Sequence, residues 1–187
     1  MGFDYVIVGG GSAGCVLAAR LSENPKARVC LIEAGGGGTS FLIRAPAMVA
    51  AMVHGRPKIN NYAYRTTAQP GLNGRRGYQP RGRALGGSSA INAMLYLRGH
   101  RLDYQRWADL GCAGWGWDDV LPYFKRAENN ANGGDDLHGA GGALQVCDQN
   151  APHAISQAFV RAANSVGSVA RPRRLICFRC ATVRICA

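Results

Sequence analysis

The apolar pattern changes character several times in the first 33 positions. Tyr5-Val6-Ile7-Val8 is a short continuous run that ends in Gly9-Gly10-Gly11. Cys15 to Leu21 is rich in helix formers and is broken at Asn24-Pro25. Arg28-Val29-Cys30-Leu31-Ile32-Glu33 is again nearly unbroken, the pattern of a strand covered on both faces. These segments predict a strand over 4–8, a helix over 15–21 and a second strand over 28–33. So short a crossover makes the strands parallel neighbours, and the fold class is α/β with a βαβ N-terminus. Periodicity then weakens. Gly35–Gly38 reads as a flexible linker, 45–53 as a short helix, and 59–79 as loops and short strands. Farther along, a helix is predicted over 102–110, closed by Gly111. Another follows over 119–128, with Asp118 as N-cap and Pro122 in its first turn. Residues 129–142 read as a polar, glycine-rich loop. A last helix over 153–166 presents Ile155, Phe159, Ala162, Ala163 and Val166 on one face and stops at Gly167.

Composition narrows the class. With 47 % hydrophobic and 8 % aromatic residues, the 187-residue chain is globular and not disordered. No apolar run approaches the ~20 residues of a membrane-spanning helix. The first residues carry neither a basic head nor a long apolar core, so no secretory signal and a cytoplasmic location are expected. Cys15, Cys30, Cys112 and Cys147 sit without regular spacing among small or apolar neighbours and are expected as buried free thiols. The net charge of +11 would suit nucleic acid, but it is uneven. Residues 168–187 hold five Arg, three Cys and no acid, which leaves +6 for the rest. The chain therefore divides into a region 1–167 and an Arg/Cys-rich tail 168–187. Neither aromatic interleaving nor a fold motif supports a nucleic-acid partner.

The first candidate chemistry is Gly9-Gly10-Gly11-Ser12-Ala13-Gly14, a G-x-G-x-x-G between a strand and a helix. Gly9 permits the tight turn, Gly11 the approach of a pyrophosphate, and Gly14 close packing of helix on strand. The helix N-terminus at Ser12 and Ala13 offers amides and a partial positive charge to phosphates. Glu33 ends the second strand 19 residues beyond Gly14, where a carboxylate accepts from a ribose diol. Together these features describe a Rossmann-like FAD/NAD(P)-binding fold. The acidic strand end disfavours NADP and leaves NAD and FAD open.

The second is Gly82-Arg83-Ala84-Leu85-Gly86-Gly87-Ser88-Ser89-Ala90-Ile91-Asn92, which fits G-[RK]-x-L-G-G-[ST]-[ST]-x-[IL]-N without a gap. With Gln69–Leu72, Arg101–Trp107, Trp115–Arg126 and His138–Gly142, it strongly resembles the glucose–methanol–choline (GMC) family of FAD-dependent oxidoreductases. The likeness spans about residues 3–167 and is greatest to choline dehydrogenase and FAD-linked bacterial alcohol dehydrogenases. It implies FAD as cofactor. Backbone around Ala84, Gly87, Asn92, Ala93, Met94 and Leu95 would touch it, while Ser88 and Asn92 offer hydroxyl and amide groups. It also implies hydride transfer from the CH–OH group of choline or another primary alcohol to flavin N5, with an electron acceptor other than NAD. Ile91 stands where some members carry a flavin-linked His, so the cofactor is expected without a covalent bond.

The family's proton-accepting His lies near the end of a much longer chain, and here no His follows His153. No catalytic residue is therefore expected: His54 and His100 read as surface or packing residues, His138 as a loop residue, His153 as a helix start. The chain reads as an N-terminal piece with the substrate domain largely missing, and its tail as a frame-shifted or disordered product. Cys177-Phe178-Arg179-Cys180 lacks the four ligands of a structural zinc site, and no metal is expected. Two alternatives stand beside this reading: a non-catalytic fragment of such an enzyme, and an NAD-dependent dehydrogenase. The latter leaves 82–92 without a role. Which alcohol, which acceptor, the oligomeric state and any peripheral membrane association are not set by these residues.

Overall fold

The computed structural model describes residues 2–53, 59–148, 151–166 and 176–177. They fall into two compact units that divide between Ala93 and Met94.

The first unit opens with β1 (Tyr5–Val8), α1 (Ser12–Leu21) and β2 (Val29–Ile32). The strands pair in parallel with Tyr5 opposite Val29 and Val8 opposite Ile32, as the pattern predicts. The Gly9 N–H continues the ladder to the Ile32 carbonyl at 2.8 Å. α1 starts three residues earlier than the apolar pattern suggests, because its first turn is made from the glycine motif itself, with Gly11 as N-cap. Contrary to expectation, β1 and β2 are not covered on both faces. Among the described residues the sheet has two strands, and Tyr5, Val6, Val8 and Ile32 are exposed. After β2 come α2 (Phe41–Arg44), capped by the Ser40 hydroxyl, a 3-10 turn (Pro46–Met48) and α3 (Val49–Val53). An antiparallel hairpin of β3 (Tyr64–Arg65) and β4 (Tyr78–Gln79) is widened by a bridge between Asn61 and Gly82. A 3-10 turn at Gly87–Ala90 follows. Met52, Ala84 and Ile91 form this unit's small apolar core.

The second unit holds α4 (Arg101–Asp109), α5 (Trp117–Ala127), β5 (Glu128–Asn130), β6 (Leu144–Asp148), α6 (Ala154–Ser165) and β7 (Ile176–Cys177). α4 and α5 meet around Tyr104, whose ring lies 5.4–5.7 Å from those of Trp107, Trp117 and Phe124. α5 begins before the expected cap. Gly116 is the N-cap, its N–H donating to Asp119 Oδ2 at 3.0 Å, so Asp118 lies in the first turn and Pro122 inside the helix. The expected loop over 129–142 also needs correcting: β5 pairs in parallel with β6, Glu128 opposite Leu144. β7, two residues of the Arg/Cys-rich tail, lies antiparallel on β6; the tail's other residues are outside those described. The predicted apolar face of α6 is exposed at Ile155, Phe159, Ala162 and Val166. Cys112 is exposed and Cys15, Cys30 and Cys147 are half-buried, so the described thiols are less buried than expected.

Candidate functional site

The glycine motif folds for distinct local reasons. Gly9 lies at φ +98, a left-handed turn that turns the chain from β1 towards α1. A Cβ on Gly14 would sit 1.9 Å from the Gly9 carbonyl oxygen, so only hydrogen fits where the first turn of α1 crosses the end of β1. Gly10, a position the motif leaves variable, is also constrained: its Cβ would meet Leu85 Cδ1 at 2.9 Å and Glu33 Cβ at 3.2 Å. No side chain caps α1 and no acid stands in its first turn; Ser12 and Ala13 are exposed. The helix end thus presents its amides and partial positive charge to an external anion.

The second glycine cluster closes on this turn. The Gly86 N–H donates to the Gly10 carbonyl at 2.7 Å. Gly87, at φ +56, lies so near Gly11 that a Cβ would stand 2.7 Å from the Gly11 Cα. The Ser12 and Ser89 hydroxyls are hydrogen-bonded to each other. Ser88, the serine expected at the cofactor, accepts from the Gly82 N–H at 3.1 Å. Pro80, Arg81, Ser88, Ile91 and Asn92 line a cleft of 270 Å³ beside the junction. Ala84 is fully buried, bridged to Gly36 behind the doublet.

Glu33 stands at the end of β2 as predicted, but its first task is internal. Oε2 accepts from the Gly10 N–H at 2.7 Å and Oε1 from the Gly35 N–H at 2.8 Å, so the carboxylate clamps the glycine turn. Each oxygen has a second lone pair for a ribose hydroxyl. Ala93 is exposed at the end of the first unit. Met94, at φ +57, and the exposed Leu95 begin the second.

The second unit holds a buried ionic cluster that sequence reasoning missed. Glu128 is 0 % exposed. Its carboxylate accepts from Arg98 Nη2, from Asn130 Nδ2 at 3.0 Å and from the Gly139 N–H at 3.3 Å, and lies 3.0 Å from His138 Nδ1. Arg98 also donates to the Leu137 carbonyl and lies over the Phe124 ring. Gly139 and Gly142 let this loop reach α5, since a Cβ there would lie 1.8 Å from the Lys125 oxygen and 2.3 Å from the Ala127 carbonyl. The only signal in sequence was the His138–Gly142 motif itself. Of the other histidines, His100 and His153 cap α4 and α6 through Nδ1, each accepting at 3.2 Å; His54 lies outside the described residues. The Asp135 carboxyl is held below the usual range by the Leu137 and then the His138 backbone N–H groups.

The chain matches the GMC oxidoreductase family over residues 3–177. An alcohol dehydrogenase [acceptor] of Pseudomonas putida is 46 % identical over 161 residues, covering 86 % of this chain and 29 % of the relative. The oxygen-dependent choline dehydrogenase of Vibrio vulnificus is 42 % identical over 167 residues, covering 88 % of this chain and 30 % of the relative. Among solved structures, pyridoxine 4-oxidase from Mesorbium loti superposes with a TM-score of 0.79 at 46 % identity, covering 88 % of this chain and 32 % of that one. The chain thus spans about three tenths of the length of the curated relatives it matches.

Proposed function

The chain belongs to the GMC oxidoreductase family, and from this premise we propose that its first unit is the cofactor-holding part of an FAD-dependent oxidoreductase acting on the CH–OH group of an alcohol, choline or another primary alcohol. GMC oxidoreductases are FAD flavoproteins. The residues present fit that group. The observation that carries the reading is the closure of two glycine loops on each other beside a helix end that no side chain caps.

In this reading the first-turn amides of α1, at Ser12, Ala13 and Gly14, hold the diphosphate. Gly9, Gly11 and Gly87 keep Cβ atoms out of its path. Glu33, fixed by Gly10 and Gly35, orients a ribose hydroxyl through its remaining lone pairs. Ser88, Asn92 and Ala93 supply backbone and polar contacts farther along the cofactor. FAD, when bound there, would supply a hydride acceptor for alcohol oxidation, with an electron acceptor other than NAD. Ile91 is 3 % exposed and carries no nucleophile, so the attachment is non-covalent and acid precipitation releases the flavin. His100, His138 and His153 are all engaged in caps or in the Glu128 cluster. We infer that none of these three serves as the base and that the described residues hold cofactor without turning over alcohol.

Titrating FAD into the purified chain while following flavin fluorescence tests this. Saturable binding that NADH does not displace, with no choline-dependent dye reduction, is the expected result. A folded chain that leaves the fluorescence unchanged at micromolar FAD removes the reading.

A further inference from the structure

Asn61 is 2 % exposed and uses the full hydrogen-bonding capacity of its amide. Nδ2 donates to the Met52 carbonyl and to the Tyr78 hydroxyl oxygen, both at 2.8 Å. Oδ1 accepts from the Ala63 N–H at 2.9 Å and the Arg81 N–H at 3.0 Å. One side chain therefore joins α3, the 60–63 loop, β4 and the segment that leads into the second glycine cluster. Asn60 and Ala63 lie at φ 55 and 51, conformations that non-glycine residues keep only where their surroundings hold them. The Tyr62 N–H donates to the Arg81 carbonyl at 2.9 Å, and the Arg83 N–H to the Asn60 carbonyl at 2.8 Å. Beyond that, a Cβ on Gly82 would lie 2.0 Å from the Gly87 oxygen, and Gly87 itself lies against Gly11.

We propose that Asn61 is a positioning residue for the cofactor cradle. It fixes Arg81–Arg83, and through Gly82 it sets the Gly86–Gly87 doublet against the first glycine turn and holds Arg81 at the cleft wall. The proposal rests on the reading that this cradle takes FAD. Asn61 has no hydrogen bond to β1 or β2, so its loss acts on the doublet and leaves the parallel pair in place.

Amide hydrogen exchange on the FAD-free 187-residue chain, with β1 and β2 as internal reference, tests the placement. Asn61→Ala is expected to speed exchange at 61–63 and 81–90 by about tenfold while β1 and β2 keep their rates. It also raises the Kd for FAD by about tenfold and alters the visible circular dichroism of the bound flavin, a signature that lost stability alone does not move. Tyr78→Phe, which leaves both Oδ1 bonds intact, moves the same amides and the Kd in the same direction but less, and carries the test if Asn61→Ala does not fold. Equal acceleration in β1–β2 and 81–90 overturns the proposal. So does faster exchange at 81–90 with unchanged Kd and flavin dichroism. A wild-type chain that takes up no FAD refutes the proposed function alone; exchange confined to 81–90 then still supports the placement, and uniform exchange still overturns it.

Discussion

In the first unit the closest approaches are backbone against backbone: Gly14 on Gly9, Gly87 on Gly11, Gly82 on Gly87. In the second, Gly139 and Gly142 also bring backbone against backbone, on Lys125 and Ala127, but the loop so placed closes on one carboxylate, with Arg98, His138, Asn130 and the Gly139 amide all directed at Glu128. The difference separates a turn whose amides are left open from a cluster whose polar groups are met internally. The α1 terminus carries amides that no side chain caps, whereas the Glu128 carboxylate is surrounded by internal donors. His138 illustrates the second condition: its ring is committed to Glu128, so it has a structural task where sequence alone suggested a loop histidine. Buried polar groups that are fully partnered specify a fold; unpartnered donors at a surface are available for binding.

The contrast breaks first at Glu128. Glu128→Ala leaves the Arg98 guanidinium buried without its partner, and the expected cost is about 3–5 kcal/mol. Urea unfolding followed by tryptophan fluorescence reports it, since Trp107, Trp115 and Trp117 all lie in this unit. Arg98→Met combined with Glu128→Leu removes both charges together and should recover only part of the loss, because Asn130 Nδ2 and the Gly139 N–H still lose their acceptor. A single variant that costs less than about 1 kcal/mol would mean the cluster behaves as an ordinary surface pair.

The glycine motif offers a sharper cut, because two of its members should fail in different ways. Gly14→Ala forces a methyl group onto a carbonyl oxygen 1.9 Å away, backbone that cannot swing aside. A loss of about 2–3 kcal/mol follows, with FAD binding lost along with the fold of β1–α1. Gly11 has negative φ, and its nearest neighbour in the direction of a Cβ is the Gly87 Cα at 3.9 Å, an ordinary contact. Gly11→Ala should therefore cost about 0.5 kcal/mol or less in thermal unfolding, yet weaken FAD by more than about tenfold because the methyl group occupies the phosphate approach. Equal effects of both substitutions on stability would show that the turn is packing throughout and holds no ligand.

What could be read beforehand follows the same division. The β1–α1–β2 unit was legible because its causes are local: apolar runs of strand length, glycines at fixed spacing, an acid at the strand end. Glu33 was placed correctly, but its clamp on Gly10 depends on a turn 23 residues away and has no sequence period. β5 was invisible because Glu128-Asn129-Asn130 has the composition of a loop and becomes a strand only by pairing with β6. Asn61 was missed for a related reason: an asparagine in a glycine-poor loop gives no signal until Met52, Tyr78 and Arg81 are brought to it. The exposure of Val6, Val8 and Ile32 was likewise unreadable, since an apolar run reports a tendency to be covered and not what covers it. Ala84 was named for its place in a family pattern, and its burial beside Gly36 is a matter of packing that the pattern does not express.

The smallest expected effect is a pH dependence confined to the second unit. Asp135 Oδ1 accepts the Leu137 N–H at 2.7 Å and the His138 N–H at 2.6 Å, closing the turn that brings His138 towards Glu128. These bonds favour the ionised form, burial opposes it slightly, and the charges of His138 and Lys125 add to the lowering from the usual 3.8. A depressed native pKa means that the stabilisation is complete above the unfolded value of about 4 and fades as the pH falls through the native one. Because Asp135 is exposed, the loss should be local. The Leu137 and His138 amide resonances should titrate together below pH 4, while those of Val6 and Ile7 stay constant. Asp135→Asn should abolish that titration, because a neutral amide accepts the same two bonds without a charge to remove. If the two amides still titrate in that variant, the Asp135 carboxyl is not the group that binds the proton.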